Sequence, residues 1–220
     1  MYFALACEGV TDFAVVEAVL CGFFDEDITD EITYLQPHLD ETSKSQKGFG
    51  GWEQLLDYLQ STRFHEDVKF NDYVIIQIDS DVLGHPNFGI SHYDENNKEL
   101  TVLVLIEKII ARLVELINKN HLSFYESHKE KIIFCICVHS IECWLLAHYK
   151  SMKKPKTKNC FKALAYELKK NEDSLKNYKI YQGIATPLAN KKTLEGIRLK
   201  DASLHLFLER LSQVAAPNSD

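Results

Sequence analysis

The sequence predicts an α/β fold with a mostly parallel sheet, helices on both faces and a small basic helical appendage at its C-terminal end. Three observations carry that expectation. Short runs rich in apolar, β-branched and aromatic residues (Tyr2 to Cys7, Tyr73 to Ile78, Ile132 to Val138) read as strands buried on both faces. Amphipathic segments with helical spacing lie between them, as parallel crossovers require. Each run ends in a polar motif: Glu8-Gly9-Val10-Thr11-Asp12, Asp79-Ser80-Asp81 and Ser140-Ile141-Glu142.

Taken in order, the first strand leads into a helix over Thr11 to Cys21, with Phe13, Val16 and Leu20 on one stripe and Thr11 or Asp12 as its cap. A second strand, Ile32 to Leu35, is stopped by Pro37. The polar stretch His38 to Lys47 and the Gly48-Phe49-Gly50-Gly51 cluster follow, read as a hinge because no Lys-Ser/Thr completes a P-loop. Trp52, Leu55, Leu56 and Leu59 then mark a second helix. After the third strand, the loop Val82 to Glu99 is long enough to act as a lid. A third helix spans Leu100 to Asn118, and after the fourth strand Ile141 to Tyr149 forms a fourth. Shorter helices are expected over Cys160 to Lys170, Ser174 to Tyr178 and Ala202 to Leu211.

The 220 residues are 45% hydrophobic and 26% charged, the composition of an ordinary globular chain. No run reaches the ~20 apolar residues of a membrane helix, and Met1 to Cys7 lacks the basic region of a signal peptide, so a cytoplasmic protein without membrane contact is expected. Six cysteines without a C-x-x-C pair read as buried reduced thiols, with Cys135 and Cys137 on the same face of their strand. The net charge of −7 hides a polarity along the chain. Residues 1–149 carry 10 Lys and Arg against 25 Asp and Glu, whereas residues 150–200 carry 14 against 4. The change of composition near residue 150 divides the chain into an acidic unit, 1–150, and a Lys-rich unit, 151–220. Acids that hold cations joined to lysines that hold phosphate suit a protein acting on a polyanion.

Parallel strands point their carboxyl ends to one edge of the sheet, where open α/β sheets bind ligands. Glu8, Asp12, Asp79, Asp81, Ser140 and Glu142 would gather there, provided the first strand neighbours the third. Each motif alone is what a helix cap or turn would supply. Their recurrence after three separate strands points to a metal centre, because crowded carboxylates repel one another and a hard divalent cation relieves them. Oxygen-only ligands select Mg²⁺ or Mn²⁺ over zinc.

Glu8-Gly9 after a strand, Asp12 four residues beyond Glu8 and Asp79-x-Asp81 after a later strand resemble the TOPRIM domain, a Rossmann-like fold of topoisomerases, bacterial primases, a ribosomal-RNA maturase and OLD-type nucleases. Thr11-Asp12 resembles the Glu-Gly-x-Thr-Asp/Glu form of OLD-like and RloB-like proteins, and Ser140 to His148 resembles the Phe-Glu-Leu-Trp-Leu-Leu-x-His block of the RloB group. The resemblance covers about residues 1–150. It implies a metal-dependent nuclease acting on DNA or structured, tRNA-like RNA in bacterial defence against phage, with a separate ABC-type ATPase as partner. It further implies that Glu8, Asp79 and Asp81 hold one magnesium, with Asp12, Ser140 and Glu142 near a second. Two such ions ~3.5–4 Å apart can stabilise the attacking and leaving oxygens of a phosphodiester displacement. Glu8 would share acid/base work, Gly9 would let the backbone approach substrate phosphate, and Lys191 or Lys192 would serve as the distant lysine that OLD-type enzymes use. Lys153, Lys154, Lys156 and Lys158 are expected on the same side as the acids, holding nucleic acid. The alternatives are a catalytically silent binding or sensor module that keeps the fold, and an Asp-phosphorylated phosphotransfer protein. The sequence leaves homo-oligomerisation open.

Overall fold

In the computed structural model, which describes residues 1–38, 51–150 and 158–215, four parallel strands form one sheet in the order β2-β1-β3-β4 among the described residues. These are β1 (Phe3–Ala6), β2 (Ile32–Gln36), β3 (Tyr73–Asp79) and β4 (Ile132–Cys137). The first strand does neighbour the third, pairing Phe3 with Tyr73 and Ala6 with Ile76, while Asp79 pairs with Cys137 of β4. Glu8, two residues past Ala6, therefore draws level with the end of β3.

Side chains alternate between two apolar layers, as the period of a strand requires. Phe3, Leu5, Cys7, Ile75, Ile133, Cys135 and Cys137 face one core. Ala4, Ala6, Val74, Ile76, Ile78, Ile132 and Ile136 face the other. The second layer is closed by α2 (Trp52–Leu59), α3 (Thr62–Phe70), α4 (Val102–Asn118) and α5 (Phe124–His128). Thr101 explains why α4 starts two residues later than expected, because its hydroxyl caps the Val104 amide.

The first layer combines α1 (Val10–Phe24) and α6 (Glu142–Tyr149) with α7 (Cys160–Glu167), α8 (Glu172–Leu175), α9 (Tyr178–Ala185), α10 (Lys191–Arg198) and α11 (Ala202–Ala215). This corrects the expectation of a helical appendage. The compositional boundary near residue 150 is no boundary in the core, since Leu175, Tyr181, Ile184, Leu188 and Phe207 share one cluster with α1 and α6. Gly22 shows how close the approach is: a Cβ there would lie 2.0 Å from the carbonyl oxygen of Leu188. The helix expected over Ser174 to Tyr178 is instead divided between α8 and α9. Asn171 caps the first and Asn177 caps the second, and each side chain starts a new helix by accepting a backbone amide. Helix α11 lies along the edge strand β4, which shields an otherwise exposed pairing edge.

The cysteine expectation holds for Cys7, Cys21, Cys135 and Cys137, which are free and buried. It fails for Cys143 and Cys160, which form a disulfide between α6 and α7 with Cα atoms 5.0 Å apart. Packing of α6 against α7 brings them together; spacing along the chain carries no sign of it. No helix among the described residues is long and apolar enough to cross a membrane.

Candidate functional site

The carboxyl ends of β1 and β3 and the start of α6 meet around a cavity of about 400 Å³. Its lining includes Glu8, Gly9 and Asp12 from the β1–α1 junction, Asp79 and Asp81 from the end of β3, and Glu142 from the first turn of α6. Gly51, Phe161, Lys176 and Tyr181 complete the wall. Five of the acids expected at the sheet edge thus share one space.

Four of the five carboxylates, those of Glu8, Asp12, Asp79 and Glu142, accept hydrogen bonds through one oxygen, Glu8 Oε2 from the Asp79 amide at 3.5 Å. Gln77, buried on the same face of β3, accepts the Glu8 amide at 3.1 Å through Oε1 and donates from Nε2 to Asp79 Oδ1 at 2.9 Å. That Asp79 oxygen also accepts the Ile141 amide at 3.1 Å. Gly9 donates its amide to Asp12 Oδ2 at 2.7 Å, and Tyr181 donates its hydroxyl to Glu142 Oε1 at 2.7 Å. The Asp81 amide donates to the His139 carbonyl at 3.0 Å, tying the end of β3 to the turn after β4. A Cβ at Gly9 would sit 3.3 Å from Asp12 Oδ2, so the glycine leaves room for that close turn.

The electrostatic consequence is strong. Burial, then Asp81 and Glu142, push the Glu8 carboxyl up to about 7, against a weaker opposing pull from the Asp79 amide. Asp12 rises well above the carboxylate range through burial and then Glu8. Asp79 does so through burial, the Cys137 thiol and Asp12. Asp81, exposed as a residue but with its carboxyl group facing the cavity, is raised by partial desolvation and by Glu142. Burial also keeps the Cys7 and Cys137 thiols, which share this face of the sheet, in their neutral form. This is the behaviour of like charges crowded where water cannot screen them.

The donor chemistry suits a hard divalent cation, because every acid of the cavity offers oxygen. Among the described residues, however, no group of three or more His, Cys, Asp or Glu side chains is arranged to hold a metal ion. The acids are gathered into one cavity but not closed into a cage.

The other expected residues are placed as follows. Ser140 lies beside the acids in an adjoining cavity, its carbonyl accepting the Cys143 amide. Lys158 lines that same cavity and pairs with Glu99 at 3.0 Å. Lys153, Lys154 and Lys156 lie outside the described residues. Neither Lys191 nor Lys192 lines the cavity. Lys191 pairs at 3.8 Å with Asp25, the C-terminal cap of α1, and a 15-residue helix puts that end about 22 Å from the end at Glu8. From the long loop, His92 stacks on His139 at 5.2 Å and His85 packs on Trp52.

Four residues of the site escaped the sequence reading. Gln77 had a signal, as the lone polar side chain in an apolar run and two residues before Asp79. Tyr181, Phe161 and Lys176 had none, since they reach the cavity from the C-terminal helices. Comparison with protein-family models, curated proteins and solved structures gives no match for this chain.

Proposed function

We propose that the chain is a metal-dependent hydrolase of nucleic-acid phosphodiesters, of TOPRIM type. The observation that carries this reading is the convergence of Glu8, Asp12, Asp79, Asp81 and Glu142 on one cavity at the carboxyl edge of a parallel sheet. Packing mutually repelling acids together costs stability, and a divalent cation bound by substrate and protein is the chemistry that repays it. Asp12, Asp79, Asp81, Glu8 and Glu142 would hold Mg²⁺ or Mn²⁺, which supplies charge neutralisation at the phosphoryl oxygens.

The chain's own groups divide the remaining work. Glu8, raised to about 7 in the metal-free chain, would take a proton from an attacking water or return one to a leaving oxygen where its carboxyl is not itself bound to the cation. Gln77 fixes Asp79 and the Glu8 backbone in one frame, and Tyr181 orients Glu142. Gly9 permits substrate phosphate to approach the start of α1, where free amides favour an anion. A role beside a separate ABC-type ATPase in defence against phage extends the same proposal.

The test is incubation of the purified chain with Mg²⁺ or Mn²⁺ and either plasmid DNA or total tRNA. Cleavage that EDTA stops, and that Asp79→Ala plus Asp81→Ala removes, supports the reading. No cleavage of either substrate, with or without an ATPase partner, defeats it. A second reading, a module that keeps the fold and senses or recruits without cutting, draws on the open arrangement of the acids. It wins if the double variant retains full biological activity.

A further inference from the structure

The carboxylate cavity opens beside a second one of about 450 Å³, and the two share Asp81, Glu142 and Phe161. Apart from those shared residues their linings differ in sign. The first holds Glu8, Asp12 and Asp79 with a single cation, Lys176; the second holds Lys158 and Lys162, beside His92 and His139, and no further carboxylate. Phe161 stands at the junction, its ring partly exposed and backed by the apolar core. The Lys176 ammonium lies 5.6 Å from the centre of that ring and has no carboxylate partner among the described residues.

We propose that Phe161 is a stacking platform for an unpaired nucleobase, so that the substrate is a single-stranded stretch or an extruded nucleotide. The scissile phosphate would lie in the acidic cavity and a neighbouring phosphate in the second, beside Lys158 and Lys162. This rests on the nuclease reading above and narrows it. A base held inside a duplex is already stacked on its neighbours and cannot reach a ring recessed between two cavities, whereas a free base offers a π-face whatever its sequence. A cation over a partly exposed ring is the weaker occupant, so Lys176 gives way to the base and turns to the phosphate beside it. Lys158 is available in the same way, because its exposed pair with Glu99 is weak and a phosphate competes with it.

The test uses the full chain with Ca²⁺ in place of Mg²⁺, and a labelled strand of about 12 nucleotides, alone and annealed to its complement. Fluorescence anisotropy reads affinity, and a 2-aminopurine in the strand reads stacking. The single strand is expected to bind at least about tenfold tighter than the duplex, with quenching of the 2-aminopurine. Phe161→Ala should abolish the quenching and weaken single-strand binding about tenfold, with Phe161→Trp restoring both. Equal affinity for strand and duplex, or quenching unchanged in Phe161→Ala, overturns the platform. Should Phe161→Ala not fold, strand preference and quenching in the unaltered protein decide. If Mg²⁺-dependent cleavage persists while these fail, the nuclease reading stands and only the platform falls; if no nucleic acid is cut or bound, both fall.

Discussion

Asp79 and Asp201 are both buried, 9% and 5% exposed, and both accept backbone amides, yet they belong to different kinds of region. Asp201 Oδ1 caps α11 by accepting the Ser203 amide at 2.9 Å, the Ser203 hydroxyl at 2.6 Å and the Leu204 amide at 3.1 Å. Ser203 Oγ in turn accepts the Trp144 indole N–H at 2.9 Å and the Val138 amide at 3.3 Å. That network pins the last helix to the sheet edge. Asp79 is anchored almost as well, but its carboxyl is raised, first by burial and the Cys137 thiol and then by Asp12, Glu8 and Glu142 crowded around it. Burial and satisfied hydrogen bonds mark architecture. Like charges packed together against their own repulsion mark a site, because architecture alone would select against them.

The widest separation between the two regions should come from Asp79→Asn plus Asp81→Asn. Activity on nucleic acid is expected to fall by roughly a thousandfold while the melting temperature of the metal-free protein rises. A fall in both would make Asp79 another Asp201. The next effect is a pH dependence. The folded value for Glu8, about 7, lies above its ordinary 4.5, so its contribution to stability is complete below about 4.5 and disappears as pH rises to about 7. Urea denaturation in EDTA should register a loss on the order of 3 kcal/mol across that window, and Mg²⁺ at pH 8 should recover part of it. A flat profile would remove the electrostatic side of the comparison.

Asp201→Ala tests the other region. It should cost about 2 kcal/mol by denaturant titration, from the lost cap and the Ser203 hydroxyl left without its acceptor, with activity per folded molecule unchanged. An activity loss without destabilisation would mean the two regions are coupled. The smallest expected effect is that of Gln77→Leu. Removing the amide that frames Glu8 and Asp79 should lower turnover about tenfold, as loss of an outer-shell partner does, and steady-state kinetics at saturating metal would read it. A change confined to stability would place Gln77 with Ser203 among purely structural groups.

Much of this was legible before any coordinates. The apolar runs and the helical intervals between them were sufficient for a parallel sheet, and a parallel sheet with β1 beside β3 was sufficient to bring Glu8, Asp79 and Asp81 to one edge. Asp12 followed from the first turn of α1 and Glu142 from the start of α6. Gln77 was legible in principle, for a polar side chain in a strand buried on both faces needs a partner. The C-terminal half was harder to read. A Lys-rich composition suggested an appended surface, whereas Leu175, Ile184, Leu188 and Leu208 are fully or almost fully buried against α1 and its neighbours. Lysines at exposed positions say little about where the opposite side of a short helix goes.

The sequence by itself determined which side chains end the strands and to which edge they go, because strand period and crossover handedness are local and general constraints. Only the tertiary structure decided how that edge is closed. The seat of the C-terminal helices on α1, through a contact as close as Gly22 against Leu188, brings Tyr181 to Glu142 and Phe161 to the mouth of the cavity, joins Cys143 to Cys160, and carries Lys191 to the far end of α1. Such contacts depend on the shapes of surfaces far apart in the chain, and no local pattern records them.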